Sequence, residues 1–497
     1  MPARVIENLG LSLLTSKAGN WPEHLEITGL SVDSRQTKAG HLFCAMPGVN
    51  MHGAEFVSFA VRMAAVAVLT DAAGVEIVKK ELGELPLPFL VAKDPRKALS
   101  VAAANWFKGQ PEKMVAITGT NGKTSVANFY RQILENMGEK AVNFGTTGVE
   151  GAITAPLAHT TPEPIALHQL LLDFAAQGVT YAAMEASSHG LEQRRLDGVD
   201  LCAAGFTNIT RDHMDYHDSF GDYFAAKAGL FDRVLGPGKT AVINLDDPFG
   251  DTVRLIAQGR KQTVISVGVA DGCDLQILNT RFDDNGQELR FSWRGQVFST
   301  RLDLIGGFQA SNALMAAGLA IASDAEPEAV FKVLHRLKTV RGRMQLAATR
   351  KNGARVFVDY SHTPDSLKTA LTALRPHVMG RLIVVFGAGG DRDKGKRPLM
   401  GKAASDFADL VFVTDDNPRS ENPATIRAEI MAGCPDAIQI GDRAEAILRG
   451  VDALQPGDTL LIAGKGHETG QTVGDDILPF DDVEQASISV EALETIQ

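Results

Sequence analysis

Cysteine is scarce in this chain and scattered where it occurs. Cys44, Cys202, Cys273 and Cys434 are too few and too far apart for a disulfide framework or a thiolate zinc site, which fits a reducing compartment. Long apolar runs are missing as well. No uncharged stretch reaches the ~20 residues that span a bilayer, and the opening MPARVIENLG lacks the apolar core of a signal peptide, so a cytoplasmic protein is expected. Positive charge is in short supply, with 49 Lys and Arg against 60 Asp and Glu. The resulting net charge of −11 disfavours a nucleic-acid backbone as partner, while a small anionic ligand in a local basic pocket is still permitted. Aromatics are only 6% of the chain, whereas glycines number 48, a balance that suits an α/β protein with many tight loops.

At 497 residues the chain exceeds the ~250–300 at which a single core stops growing, so it should divide into domains. Residues 26–70 read as strand, turn, strand, helix, strand, a small α/β unit, and the polar Lys108-Gly109-Gln110-Pro111 reads as a connection. From Met114 strands and helices alternate, which predicts a largely parallel sheet covered on both faces. The segment 274–302 breaks that rhythm with period-two alternation around Asp284-Asn285-Gly286 and Arg294-Gly295, the pattern of antiparallel hairpins. A second α/β series starts near Arg343, with strands expected at 355–359, 382–386, 410–414 and 459–463. The fold class is therefore α/β in three domains. These are a small N-terminal α/β domain (1–110), a central P-loop-type parallel-sheet ATPase domain (111–340) and a C-terminal Rossmann-like doubly wound domain (341–497).

The sharpest chemical signal is the apolar strand at 114–118 running into Gly119-Thr120-Asn121-Gly122-Lys123-Thr124-Ser125. A helix follows, with Val126, Phe129, Tyr130, Ile133, Leu134 and Met137 on one stripe and Gly138 as its stop. A phosphate cradle needs backbone N–H groups aimed at an anion, a helix N-terminus behind them and a lysine reaching the β/γ-phosphates; Thr124 would then hold Mg²⁺. The loop is shorter than the usual G-x-x-x-x-G-K-[ST], with Thr120 and Asn121 alone between the two glycines. The bland alternative is a plain strand-to-helix turn.

Glu185 follows the apolar run Tyr181-Ala182-Ala183-Met184, at the strand end where open parallel sheets bind ligands. Another strand ends in Asn208-Ile209-Thr210-Arg211-Asp212-His213-Met214-Asp215, dense in possible metal ligands; with a phosphate loop upstream these segments read as a Mg²⁺ site. In the C-terminal third, Gly387-Ala388-Gly389-Gly390-Asp391-Arg392 competes as a dinucleotide fingerprint. Arg392 stands where that fingerprint needs its last glycine, which disfavours NAD. Asp416-Asn417-Pro418-Arg419 and Gly464-Lys465-Gly466-His467-Glu468 lie, like the glycine-rich segment, after strands of one series, so they can converge on one ligand.

The ordered set of Gly119-to-Thr124, Glu185 to Gly190, Asn208, Asp212 to Asp215, Asn312, Arg343 and Asp359-Tyr360-Ser361-His362-Thr363-Pro364 resembles that of the Mur ligase family, over about residues 27–470. The resemblance implies phosphoryl transfer from ATP to a substrate carboxylate, then displacement of phosphate by an amine. It gives catalytic roles to Lys123, Glu185, His213, Lys227, Arg343 and Asp359. Nucleotide contacts are implied at Gly119, Thr120, Asn121, Gly122, Lys123, Thr124, Ser125, Asn312 and Arg343, and Mg²⁺ ligands at Thr124, Glu185, His213 and Lys227. Lys227 matches the lysine that family members carry as a carbamate, a CO₂ adduct; read without the resemblance, a helical lysine is usually solvated. For a UDP-linked muramoyl dipeptide the resemblance implies Val32, Ser34, Val49, Asn50, Met51, Thr160, Thr161, Ser187, Gln193 and Arg195.

Family members that use diaminopimelate carry Asp-Asn-Pro-Arg where this chain has residues 416–419. Arg392, Asp416, Asn417, Pro418, Arg419, Gly464 and Glu468 are then expected to bind meso-diaminopimelate. Its distal carboxylate requires a cation such as Arg419, because a buried unpaired charge is costly. ATP, the UDP-linked dipeptide and meso-diaminopimelate are the expected partners of a monomer, with no nucleic acid and no membrane span. Two rivals stay open at this point: a folylpolyglutamate synthase, which has no reason to carry the N-terminal domain, and a catalytically idle nucleotide-binding protein.

Overall fold

The computed structural model describes residues 3–48, 51–212, 214 and 216–495, and these form three α/β units in chain order. In the first, the strands run in the order Thr15–Ala18, Phe89–Ala92, Ala67–Thr70, His41–Cys44, Gly29–Ser31, with only the first pair antiparallel. The last strand of this order stops at Ser31. The Asp33 side chain accepts from Arg35 N at 2.9 Å and caps a 3₁₀ turn, Ser34–Gln36, an alternative that aspartate offers to strand pairing. The helix Pro95–Phe107 packs its Ala98, Ala102, Trp106 side under this sheet.

The second unit is built on a ten-stranded sheet. Six parallel strands form its middle, in the order Ala141–Gly145, Tyr181–Glu185, Lys113–Thr118, Ala203–Phe206, Thr240–Asn244, Thr263–Gly268. Apolar side chains of the parallel strands fill clusters on both faces, as a sheet sandwiched between helices requires. Leu275–Asp283, Gly286–Trp293 and Gln296–Leu302 extend it as the two expected hairpins. The second hairpin turns through Arg294 and Gly295 at φ 47° and 88°, the left-handed pair a two-residue loop needs.

The third unit has parallel strands Arg355–Asp359, Thr459–Ala463, Leu382–Phe386, Leu410–Val413 and Ile438–Gln439, with Gln345–Thr349 antiparallel on one edge. Helices cover both of its faces over separate apolar clusters. The carboxyl ends of its central strands point toward the phosphate loop of the second unit, and that juxtaposition creates the site. Among the described residues, no helix is long and apolar enough to cross a membrane.

Candidate active site

The phosphate loop leaves the strand Lys113–Thr118 and enters the helix Lys123–Asn136. Gly119 lies at φ 149°, and a Cβ there would sit 1.9 Å from Thr207 Oγ1; Gly122 lies at φ 86° against Asn312 Oδ1. These two positions need glycine because the loop is wedged between the strand end at Thr207 and the helix Phe308–Ala322, which carries Asn312. Asn208 holds it by a backbone-like pairing: its Oδ1 accepts from Asn121 N at 2.9 Å, and its carbonyl accepts from Thr120 N at 2.9 Å.

Lys123 Nζ curls over the loop and donates to the carbonyls of Gly119 and Thr120, both at 2.8 Å. Burial holds its ammonium below the usual lysine range, against the pull of Glu185 and Asp212. Thr124 Oγ1 donates to Glu185 Oε2 at 3.0 Å. Thr146, which the motif reading passed over, donates its backbone N–H to Glu185 Oε1 at 2.8 Å and its hydroxyl to Oε2 at 3.1 Å. Close approach is allowed by Gly145, where a Cβ would meet the carboxylate at 2.3 Å.

Lys227 is 2% exposed, not the solvated helix lysine that its sequence context suggests. Its Nζ donates to Gly119 O at 2.7 Å from behind the loop and lies 4.7 Å from the Tyr223 ring centroid. Burial first, then repulsion from Lys123, drives its ammonium well below the ordinary lysine value. Tyr223 OH pairs with Thr120 Oγ1 at 2.9 Å, so loop and helix are tied at two points.

The third unit closes this site from above. Arg343 Nη2 donates to Thr124 Oγ1 at 3.2 Å, and its guanidinium lies 4.5 Å from the Tyr360 ring centroid. Asp359, buried, accepts from Met344 N at 2.6 Å and from Ser361 Oγ; burial raises its carboxyl. Arg195 is braced by Gln193 Oε1 at 2.8 Å and by the Thr161 carbonyl, while Thr161 Oγ1 pairs with Ser187 Oγ at 3.0 Å. Ser100, on the N-terminal helix, donates to the carbonyls of Arg194 and Arg195 at 2.7 and 3.1 Å, which docks the first unit on this loop.

One cavity of about 920 Å³ is lined by Asn121 to Ser125, Thr160, Thr161, Glu185, Ser187, Arg195, Lys227, Asn312, Arg343 and Asp359. Val32, Ser34 and Met51 are not among its lining; Ser34 is buried, and the other two are 39% and 52% exposed on the N-terminal unit. Val49, Asn50 and His213 lie outside the described residues.

A second cavity of about 310 Å³ opens beside the first and shares Asp212, Tyr360, His362, Asp365 and Arg392 with it. Its far walls bring together Asp416, Asn417, Arg419, Gly464 and Glu468; Pro418 lies behind them, its carbonyl packed on Gly390. Arg419 adopts φ 51° and donates Nη1 to Gly390 O at 2.8 Å. Its backbone is clamped by the hairpin Gly470–Val473/Asp476–Pro479: Arg419 N donates to Thr472 O at 3.1 Å, and Gly474 N donates to Arg419 O at 2.8 Å. Sequence motifs gave no sign of this hairpin's part, because pairing between residues 419 and 473 leaves no local signature.

A phosphate loop, an adjoining acidic strand end and a capping α/β unit with a cavity lined by charges of both signs define a nucleotide-using enzyme in which ATP faces a second polar substrate. Residues 26–107 match the profile described as the Mur ligase family catalytic domain, 117–320 the Mur ligase middle domain, and 342–466 the Mur ligase glutamate ligase domain. The chain is 49% identical to the UDP-N-acetylmuramoyl-L-alanyl-D-glutamate--2,6-diaminopimelate ligase of Mesorhizobium japonicum, across 93% of this chain and 94% of that protein. A solved structure of a ligase of that name has a TM-score of 0.69 at 33% identity, covering 96% of this chain and 97% of the other. The chain belongs to the Mur ligase family. A Mycobacterium tuberculosis folylpolyglutamate synthase shares the fold at TM-score 0.62 and 20% identity, and that likeness extends over 80% of this chain.

Proposed function

We propose that this protein is the amide ligase of peptidoglycan synthesis that joins meso-2,6-diaminopimelate to the D-glutamate carboxylate of UDP-N-acetylmuramoyl-L-alanyl-D-glutamate, with ATP cleaved to ADP and phosphate. The observation that carries this reading is the pair of cavities sharing Tyr360, His362 and Asp365. One holds phosphate-binding groups, and the other is lined by Arg392 and Arg419 together with Asp416 and Glu468. Such a partition suits a phosphorylated carboxylate on one side and a zwitterionic amine on the other.

In this reading the substrate carboxylate attacks the γ-phosphorus of ATP, its bond to ADP breaks, and an acyl phosphate results. The α-amino group then attacks the acyl carbon, a C–N bond replaces the C–O bond to phosphate, and the amine gives up a proton. Phosphoryl transfer asks mainly for positioning and charge neutralisation. Lys123 curls over the loop and Arg343 reaches Thr124 from the third unit, so the two neutralise the phosphates, while Arg195 and Thr161 orient the dipeptide. Thr124 and Glu185 are hard oxygen donors of the type Mg²⁺ takes beside substrate phosphates, and the bound cation supplies further charge neutralisation there. Lys227 as its carbamate adds an anionic oxygen behind the loop. Burial supports this, because it favours the neutral amine, whose nitrogen adds to CO₂ with loss of a proton. Enclosure beneath the third unit keeps water from the acyl phosphate. Such an enzyme works in the cytoplasm, where ATP and UDP-linked precursors meet, as a monomer.

The test is ATP-dependent phosphate release with the UDP-linked dipeptide and each of meso-diaminopimelate, L-lysine and L-ornithine. Strong release with diaminopimelate alone is expected; equal or better use of L-lysine refutes the assignment.

A further inference from the structure

Lys465 has no part in the mechanism above, yet its side chain is fully enclosed beneath the smaller cavity. Its Nζ lies 3.1 Å from Asn417 Oδ1, 3.1 Å from Glu468 Oε2 and 3.7 Å from Asp416 Oδ1. Asn417 Nδ2 donates to that same Glu468 oxygen at 2.9 Å, so lysine, amide and carboxylate form a closed ring. Behind the ring, the buried Arg443 and Asp482 neutralise one another through a bidentate pair at 2.8 and 2.7 Å. Two carboxylates, Asp416 and Glu468, thus remain against one ammonium, and this wall carries one uncompensated negative charge. Asp416 Oδ1 is buried without a hydrogen-bond donor among the described residues. A buried acceptor left open at a cavity wall calls for a cationic donor from the ligand. Arg419 and Arg392 line the same cavity and supply the opposite sign.

We propose that Lys465 is a positioning and specificity-determining residue, which holds Asp416, Asn417 and Glu468 in one arrangement and trims their wall to the single negative charge that one substrate ammonium matches. The proposal rests on the reading of the amine as diaminopimelate, whose distal end offers one ammonium beside one carboxylate. Without Lys465 the two carboxylates would repel one another in a dry pocket, and one would swing away or take up a proton. The loss falls on amine binding and leaves the phosphate loop, in another unit, unchanged.

The experiment measures steady-state kinetics of Lys465→Met, Glu468→Gln and the double variant, together with the wild type on 2-aminopimelate, which keeps the distal carboxylate and lacks the ammonium. Truncating one partner of a buried charge pair predicts a KM for meso-diaminopimelate raised at least ~30-fold in Lys465→Met. The KM for ATP should stay within about twofold and kcat at saturating amine within about fivefold, a split that general structural damage does not give. Adding Glu468→Gln restores a single carboxylate, so the double variant should lose less than the product of the two single losses. Wild-type kcat/KM for 2-aminopimelate should be at least ~30-fold below that for meso-diaminopimelate. An amine KM within about threefold of wild type in Lys465→Met, multiplicative losses in the double variant, or equal use of 2-aminopimelate overturns the proposal. Should Lys465→Met fail to melt cooperatively, the wild-type comparison of the two amines decides. A wild type inactive with diaminopimelate sinks the parent reading too, whereas an active wild type with an indifferent Lys465→Met sinks this inference alone.

Discussion

Replacing Arg419 by alanine isolates recognition of the distal carboxylate from the rest of the reaction. In the structure one Nη1–H of this guanidinium is taken by the Gly390 carbonyl at 2.8 Å, which leaves the other edge of the planar fork for a ligand in the cavity. Losing one partner of a buried charge pair costs about 2–5 kcal/mol, and the partial exposure of Arg419 places it in the lower part of that range. About 2–3 kcal/mol corresponds to a fall of roughly 30- to 200-fold in kcat/KM for meso-diaminopimelate. The backbone does not confuse the measurement. Arginine at φ 51° already bears the left-handed penalty of about 1–2 kcal/mol, and alanine inherits it unchanged. Coupled phosphate-release kinetics should therefore show an unaltered KM for ATP and an unaltered melting temperature. Arg419→Lys should fall between the two, since it keeps the charge and loses the bidentate geometry. A loss below about threefold, under 1 kcal/mol, would refute the reasoning.

Lys227→Ala should lose most ligase activity and Lys227→Glu should recover part of it; full turnover by the alanine variant in the same assay would exclude the carbamate. Gly119→Ala, whose Cβ would lie 1.9 Å from Thr207 Oγ1, should abolish ATP binding by calorimetry, and retained affinity would show that the loop relaxes easily. Burial pulls His168 down to about 4, so between its unfolded value near 6.5 and that point the unfolded chain binds the extra proton. Stability should then fall as pH drops through this window, by up to about 3 kcal/mol, and flatten below it. His168→Leu should show a shallower decline in urea midpoints over the same range, and an unchanged slope would show that His168 contributes nothing there.

Local chemistry made much of this fold readable before any coordinates. The hairpins at 274–302 were signalled by Asp-Asn-Gly and Arg-Gly turns, and the phosphate loop by two glycines and Lys-Thr between an apolar strand and an amphipathic helix; both glycines adopt positive φ in the structure. What stayed hidden depends on contacts between distant segments. The burial of Lys227 is set by Gly119, 108 positions away, and no helical periodicity reports it. Thr146 looks like any loop threonine until Gly145 lets Glu185 approach. Lys465 lies inside a segment whose ends were singled out, and its own role emerges only from residues 416 and 417, folded beside it.

Most of the loops that line the smaller cavity leave the carboxyl ends of strands in the third unit's sheet, whereas Lys123, Thr124 and Glu185 rise from the central one. Substrate choice and energy supply are thereby kept on separate platforms that meet at a common wall. On the proposed function, a mutational route from one amine to another can run through residues 416–421 and 464–479, none of which lines the phosphate-loop cavity. Diversification of the building block added at this step is thus a change of one module, open to drift without loss of the motor that drives it.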